Sequence, residues 1–413
     1  MIGLRFTYFR IIAYAAISIV LLWICIFLFG SGNLMARQGV ALSSRNVRLL
    51  FTCEDCSGKK SGPTDSSHPC NTPLPEETMS TDNKVFKKIT QAQNDTNSIA
   101  VKGPPCKVTD FKQRVHDIKS LNYYCGSAIL PTGYDTADPG MNFLTAETPG
   151  LLGNRMFQVA SLLGIAHGQK TAVCLPSNVN LPKYFKLKGV QKMAWTESAN
   201  WSVTTERCWA GFDSCLLRLP HHNFTVYEYL QSYKYFHPIE NKIRDLFTFQ
   251  EDILKQAFQI LDDLWGNEST SLKDIALVGV HARRGDMLLQ NHINSGHVVA
   301  PSSYYAKAFQ WMEDNLPDKT VKFIVVCQDT EWCSANLIRE NAKLAPQAPA
   351  EVHLALLATC HHVILSTGTF GWWGAWLAGG KAVYYEKYPR ENSVMVKGFN
   401  RSEFFLPSWV GLA

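Results

Sequence analysis

The sequence predicts an α/β protein built on a parallel, doubly wound sheet, and three observations predict it. Apolar runs of strand length alternate with helical stretches through residues 275–385, the pattern left by strands joined through crossover helices. One of these runs stops in charge, as IALVGVHARRGDMLL at 275–289. Another stops in hydroxyls and glycines, as HVILSTGTFGWWG at 362–374. In open α/β sheets ligands bind beyond the carboxyl ends of the strands, so both polar clusters sit where chemistry is done.

From its beginning, the chain first shows a short tail at residues 1–10, carrying Arg5 and Arg10, and then a charge-free run at 11–30 (IIAYAAISIVLLWICIFLFG). A run of that length just spans a bilayer, whereas the apolar part of a cleaved signal peptide is shorter, so an uncleaved signal anchor is expected. Glycosylation sequons at Asn94, Asn200, Asn223, Asn267 and Asn400 all follow it. They are usable only on the lumenal side, which makes the expected topology single-pass type II with a lumenal head. Residues 31–102 are rich in Ser, Thr, Lys, Asp, Asn and Pro without a sustained period, and read as a flexible stem. The net charge of +5 is spread over scattered basic residues, which excludes the electrostatic footprint of a nucleic-acid binder.

Of the 12 cysteines, Cys25 lies in the apolar run. The odd number left beyond it means that at least one is free or pairs with another chain. Cys53 and Cys56 form a CxxC with no βαβ pattern around it, and adding Cys70 gives no convincing zinc set, so disulfides in an oxidising lumen are the simpler account. Cys106 with Cys125, and Cys327 with Cys333, are plausible pairs.

The folded region divides into 103–274 and 275–413. In the first, residues 150–169 (GLLGNRMFQVASLLGIAHGQ) place Met156, Phe157, Ala160, Leu163 and Gly164 on one helical face, with Asn154 where a cap belongs. A strand follows at Thr171–Leu175, and only Gly153 and Asn154 would lie at a cleft. Residues 176–274 are irregular and aromatic, including Trp195, Trp201, Trp209, Tyr227, Tyr229, Tyr233 and Tyr235. Such rings either stack on sugars or form core. In the second region a strand over Ala276–Val280 delivers His281, Arg283, Arg284 and Asp286. Helices are expected at Ser302–Asn315, Glu331–Asn341, Val352–Ala358 and Gly371–Ala378, and strands at Val321–Cys327, His362–Ser366 and Ala382–Tyr385.

Two adjacent arginines at a strand end suit an anionic ligand, because the guanidinium fork holds phosphate bidentately at any physiological pH. The alternative is a surface loop with a local Arg–Asp pair. At residues 366–374 hydroxyls, glycines and a helix N-terminus converge, a ready site for phosphate. It is not a Walker loop, since no Gly-Lys-Ser/Thr ends it. Its other reading is a Ser/Thr helix cap followed by core tryptophans.

Together these stretches resemble the alpha-1,2-fucosyltransferases, glycosyltransferase family 11. HARRGD at His281–Asp286 resembles that family's H-x-R-R-x-D motif, and GNRMFQVA at Gly153–Ala160 its GN-x-MFQ-x-A motif. VVCQDTEWC at 325–333 and CHHVILSTGTFGWWGAWLAGG at 360–380 are similar to its later blocks. His361 departs from the family, which often has Asp there, at a position expected beside the strand. The resemblance implies a GT-B-like fold of two Rossmann-like lobes, a Golgi type II membrane protein, GDP-fucose as donor and inversion at the anomeric carbon. It makes Arg283 the chief contact to the donor diphosphate, supported by Arg284. It places His281 and Asp329 at the nucleotide, with Ser366, Thr367, Thr369 and Phe370 lining the phosphates and Gly153 and Asn154 nearby. Asp286 is the candidate base, or else it orients an arginine.

The expected reaction is transfer of L-fucose to a glycan hydroxyl, with O2 of galactose as the expected position. The competing readings are a protein O-fucosyltransferase, an N-glycan core fucosyltransferase, or a membrane-anchored glycan-binding protein without catalysis. No metal is expected, because no Asp is followed two residues later by another Asp. The nearest approach is Asp329-Thr-Glu331.

Overall fold

The computed structural model describes residues 124–413 apart from 138–139, 148–149, 177–179, 188, 198–200, 207 and 267–273. The expected tail, anchor and stem lie outside the described residues. So do Asn94, Asn200, Asn267, Cys25, Cys53, Cys56, Cys70 and Cys106. No helix among the described residues is long and apolar enough to cross a membrane.

In the first half the elements run β1 (Tyr124–Ile129), β2 (Asn142–Glu147), α1 (Leu152–Ile165), β3 (Thr171–Pro176), α2 (Leu181–Tyr184), β4 (Val190–Glu197), β5 (Ser202–Thr205), β6 (Phe224–Tyr227), α3 (Glu240–Leu246) and α4 (Glu251–Trp265). Their six strands order as β4-β1-β3-β2-β6-β5. β2 pairs parallel with β3 and β6, and β5 with β6, but β1 is antiparallel to both its neighbours. The first lobe thus keeps a parallel core of β3, β2, β6 and β5 and departs from an all-parallel sheet only through the antiparallel β1. The stretch from Leu130 to Met141 carries turns rather than a helix among its described residues, and parallel strands need a crossover, usually helical.

The second half runs β7 (Ile275–Ala282), α5 (Gln290–Ser295), α6 (Ser302–Asp314), β8 (Thr320–Cys327), α7 (Thr330–Leu337), β9 (Ala342–Leu344), α8 (Ala350–Thr359), β10 (His362–Leu365), α9 (Thr369–Ala378), β11 (Ala382–Tyr385), α10 (Arg401–Phe404) and β12 (Val410–Leu412). This sheet is parallel throughout, in the order β12-β11-β10-β7-β8-β9. The chain builds outward from β7 through β8 to β9, then returns to the other side of β7 with β10. The order therefore reverses between β7 and β10, the switch point where such sheets bind ligands.

Strand periodicity explains the burial. Phe323, Val325 and Cys327 of β8 enter one apolar cluster, while the alternate residues Ile324 and Val326 enter another. A strand covered on both faces reads as the continuous apolar run seen in the sequence. The second cluster does not stop at this sheet. It continues through Phe157 of α1, Phe236 and Phe247 to Trp372, Trp373 and Trp376 of α9. The Phe157 ring centroid is 4.5 Å from that of Trp372 and 5.1 Å from that of Trp373. The two sheets thus share one aromatic core.

Residues 176–274 prove more regular than their composition suggests, holding β4 to β6 and α2 to α4. Trp201, Tyr233 and Tyr235 are buried, which favours core over sugar stacking for these rings. The side chain of Trp195 lies outside the described residues. Asn223 accepts a hydrogen bond from the Phe143 backbone N–H at 2.8 Å, so its amide oxygen braces the first sheet.

Candidate functional site

β7 and β10 lie side by side with His281 in register with Leu365, so the chain that leaves each strand meets the other. Ser366 fastens them. Its hydroxyl donates to the His281 carbonyl at 3.1 Å and accepts from the Arg283 backbone N–H at 2.8 Å. Both polar constellations expected from the sequence are thereby joined at the switch point.

The arginines are held rather than loose. Arg283 Nη1 donates to Gln328 Oε1 at 2.6 Å and Nη2 to Asp286 Oδ2 at 2.8 Å. Arg284 Nε donates to Asp329 Oδ2 at 3.0 Å, and its guanidinium carbon sits 3.8 Å from the Trp332 ring centroid. Side-chain exposures of 17% and 12% make them far more enclosed than ordinary surface arginines. The hydrogen bond from Arg284 holds the Asp329 carboxyl below its usual pKa, so it stays ionised. Between the arginines and Asp286 the backbone turns through Gly285 at φ +51, and a Cβ there would lie 3.1 Å from Gln328 Oε1.

His281 is buried, and its ring lies 5.2 Å from that of Phe370. Burial, followed by the nearby Arg283 charge, lowers its pKa to about 3. It is a neutral imidazole at physiological pH. Among the described residues its Nδ1 finds no partner, and neither does Oγ1 of the buried Thr367. Two unpaired polar atoms beside two arginines are what a polar ligand would satisfy. Gly371 permits this imidazole, since a Cβ there would fall 2.5 Å from Nδ1.

α9 opens immediately after Gly368, which takes φ +85, and no side chain caps it. Its first-turn N–H groups carry the positive end of the helix dipole. Thr369 turns toward the first sheet, donating through Oγ1 to Asn154 Oδ1 at 2.7 Å. This corrects the reading of Asn154 as a cap. α1 starts at Leu152 with Leu151 as its N-cap, and Asn154 inside the first turn instead bridges to Thr369 and accepts from Gln231 at 3.2 Å. Gly153 lies at the same contact, its carbonyl accepting from Trp373 Nε1 at 2.9 Å.

His281, Arg283, Arg284, Asp329, Ser366, Thr367, Thr369 and Phe370 are therefore brought together, with Gly153 and Asn154 reaching them across the interface. Asp286 occupies the orienting position of its two readings, against Arg283. His361 takes no part, since its Nδ1 accepts from the Leu277 N–H near the other end of β7. Among the described residues no group of three or more His, Cys, Asp or Glu is placed to hold a metal ion.

Sequence reasoning missed Gln328, Trp332, Gln231 and Glu206. The first two flank Asp329 inside a C-x5-C spacing, the only local signal they leave. Glu206 is a buried carboxyl that accepts from Tyr235 Oη at 2.7 Å and from the Leu230 N–H at 3.0 Å. Burial raises its pKa well above the usual range. It braces the segment that delivers Gln231.

Comparison with known proteins gives the family. Residues 133–413 match Glycosyl transferase family 11. Galactoside alpha-(1,2)-fucosyltransferase 1 of Bos taurus is 28% identical over 276 residues, 65% of this chain and 75% of that protein. Its Homo sapiens counterpart is 29% identical over 276 residues, 65% and 74% respectively. Among solved structures, fucosyltransferase NodZ from Bradyrhizobium is 14% identical with a TM-score of 0.39, covering 57% of this chain and 91% of that one.

Proposed function

This chain belongs to glycosyl transferase family 11, and from that premise we propose that it transfers L-fucose from GDP-fucose to O2 of a galactose in a glycan. In this reading it inverts the anomeric centre within a GT-B arrangement, as a type II Golgi membrane protein. The names of the relatives support the galactoside acceptor and the linkage. The observation that carries the donor is the pair of clamped arginines at the β7–β10 switch point, tied through the Arg283 backbone to Ser366 in the hydroxyl loop that leads into α9.

The acceptor oxygen attacks the anomeric carbon as the bond to phosphate breaks. Positive charge develops on the sugar and negative charge on the departing diphosphate. Arg283, Arg284 and the first turn of α9 stabilise the latter, already oriented before reaction. Neutral His281 and ionised Asp329 face the nucleotide, and Thr367 offers its unpaired hydroxyl. Asp286 takes the acceptor proton, or else keeps Arg283 in place while another group does so. The test is an assay of the purified full chain with a panel of nucleotide sugars and defined glycans, followed by linkage analysis. Transfer from GDP-fucose giving an alpha-1,2 bond to galactose is expected. Fucose on protein hydroxyls or on the N-glycan core, or binding without transfer, would replace this reading.

A further inference from the structure

The partners of the two arginines come mostly from one place. β8 ends at Cys327, α7 begins at Thr330, and Cys333 in the first turn of that helix is joined to Cys327 by a disulfide. Both sulfur-bearing residues are buried. The small ring they close holds Gln328 against Arg283, and Asp329 and Trp332 against Arg284. Asp329 also accepts from the Trp332 N–H at 3.2 Å, which ties the start of α7 to the same turn. Of the four side chains that fix the guanidiniums, Asp286 alone lies outside this ring.

We infer that the Cys327–Cys333 ring is a positioning device that aims both arginines at the donor diphosphate, with Gln328 and Trp332 as its positioning residues. The inference rests on the donor reading given above. A disulfide across so short a loop removes little freedom from the unfolded chain compared with one closing a long loop. What it fixes is local. Without it the turn keeps only its hydrogen bonds, from the Trp332 N–H to the Asp329 carboxylate and from the Cys333 N–H to the Asp329 carbonyl, and the shared frame of Gln328, Asp329 and Trp332 loosens. Each guanidinium would then have to be ordered on binding, which lowers affinity. The chemistry of transfer, once donor is seated, would change little.

The experiment compares the full chain with the Cys327→Ala/Cys333→Ala double variant, using GDP as the titrated probe and GDP-fucose in kinetics. The double variant is expected to keep its unfolding transition, bind GDP on the order of 10-fold more weakly and raise KM for the donor by a similar factor. Its kcat and acceptor KM should stay close to the parent's. Gln328→Ala and Trp332→Leu leave the disulfide intact and should weaken GDP binding in the same sense. These variants decide the matter if the double variant does not fold. Parental GDP affinity in a folded double variant, or in Gln328→Ala, overturns the inference alone. Failure of the parent chain to bind GDP overturns the donor reading and this inference with it.

Discussion

Arg283 is fixed by two side chains and a backbone bond, so its guanidinium is already aimed when ligand arrives. Removing one preorganised donor from a developing oxyanion typically costs about 10²–10³ in kcat. Arg283→Ala is expected to lose that much while its thermal transition persists, and Arg283→Lys should also be poor because a single ammonium keeps the charge but loses the planar bidentate fork. Near-parental turnover in a folded Arg283→Ala protein would remove this residue from the mechanism. His281 supports a second prediction. Its folded pKa, about 3, lies below the unfolded value of roughly 6.5. Above pH 6.5 the imidazole is neutral in both states. As pH falls below that, the unfolded chain takes a proton that the folded one refuses, and stability drops by about 1.4 kcal/mol per pH unit until the folded pKa is reached. The fall in Tm between pH 6.5 and 5.5 should therefore be smaller in His281→Asn than in the parent. Parallel Tm curves would refute the assignment.

Among the elements, α1 and α9 approach closely at Gly153. A Cβ there would lie 2.7 Å from Thr369 Oγ1, 2.8 Å from the Thr369 carbonyl carbon and 2.9 Å from the Phe370 nitrogen. Backbone cannot rotate aside as a flexible side chain can. Gly153→Ala is expected to cost about 1–3 kcal/mol and to raise KM for the donor by shifting the start of α9, measured by denaturant midpoint and kinetics. An unchanged midpoint would show that the helices have slack. The strands that frame the site were legible in sequence because each is an apolar run that ends abruptly. β9 and β12, at three residues each, are too short to leave a period, and β5 and β6 at four residues fare little better. The helix read through Asn341 ends at Leu337 because Ile338 turns extended and Arg339 exchanges backbone bonds with Ala342 to enter β9. Both arginines and the hydroxyl loop were readable from local composition. The Asn154–Thr369 bond was not, since its partners lie 215 residues apart and neither stretch announces the other.

For the whole molecule, the balance of charge at the switch point gives a further prediction. Arg283, Arg284 and the α9 dipole together offset a diphosphate, leaving a cation redundant. Transfer should survive exhaustive EDTA treatment and gain nothing from Mn²⁺ or Mg²⁺. Loss with EDTA and recovery with metal would recast Asp329 and Glu331 as ligands. The aromatic core shared by the two sheets has a consequence for how the protein is made. Gly153 and Trp373, which meet in the finished fold, are separated by 220 residues. At about 5–20 residues per second, synthesis of that span takes on the order of 10–45 s. Throughout that interval Phe157 and its neighbours on α1 have no tryptophans to cover them. Nascent chains ending before α9 should therefore be held by chaperones and stay protease-sensitive, and release of a protease-resistant product should begin only after Trp376 has left the ribosome.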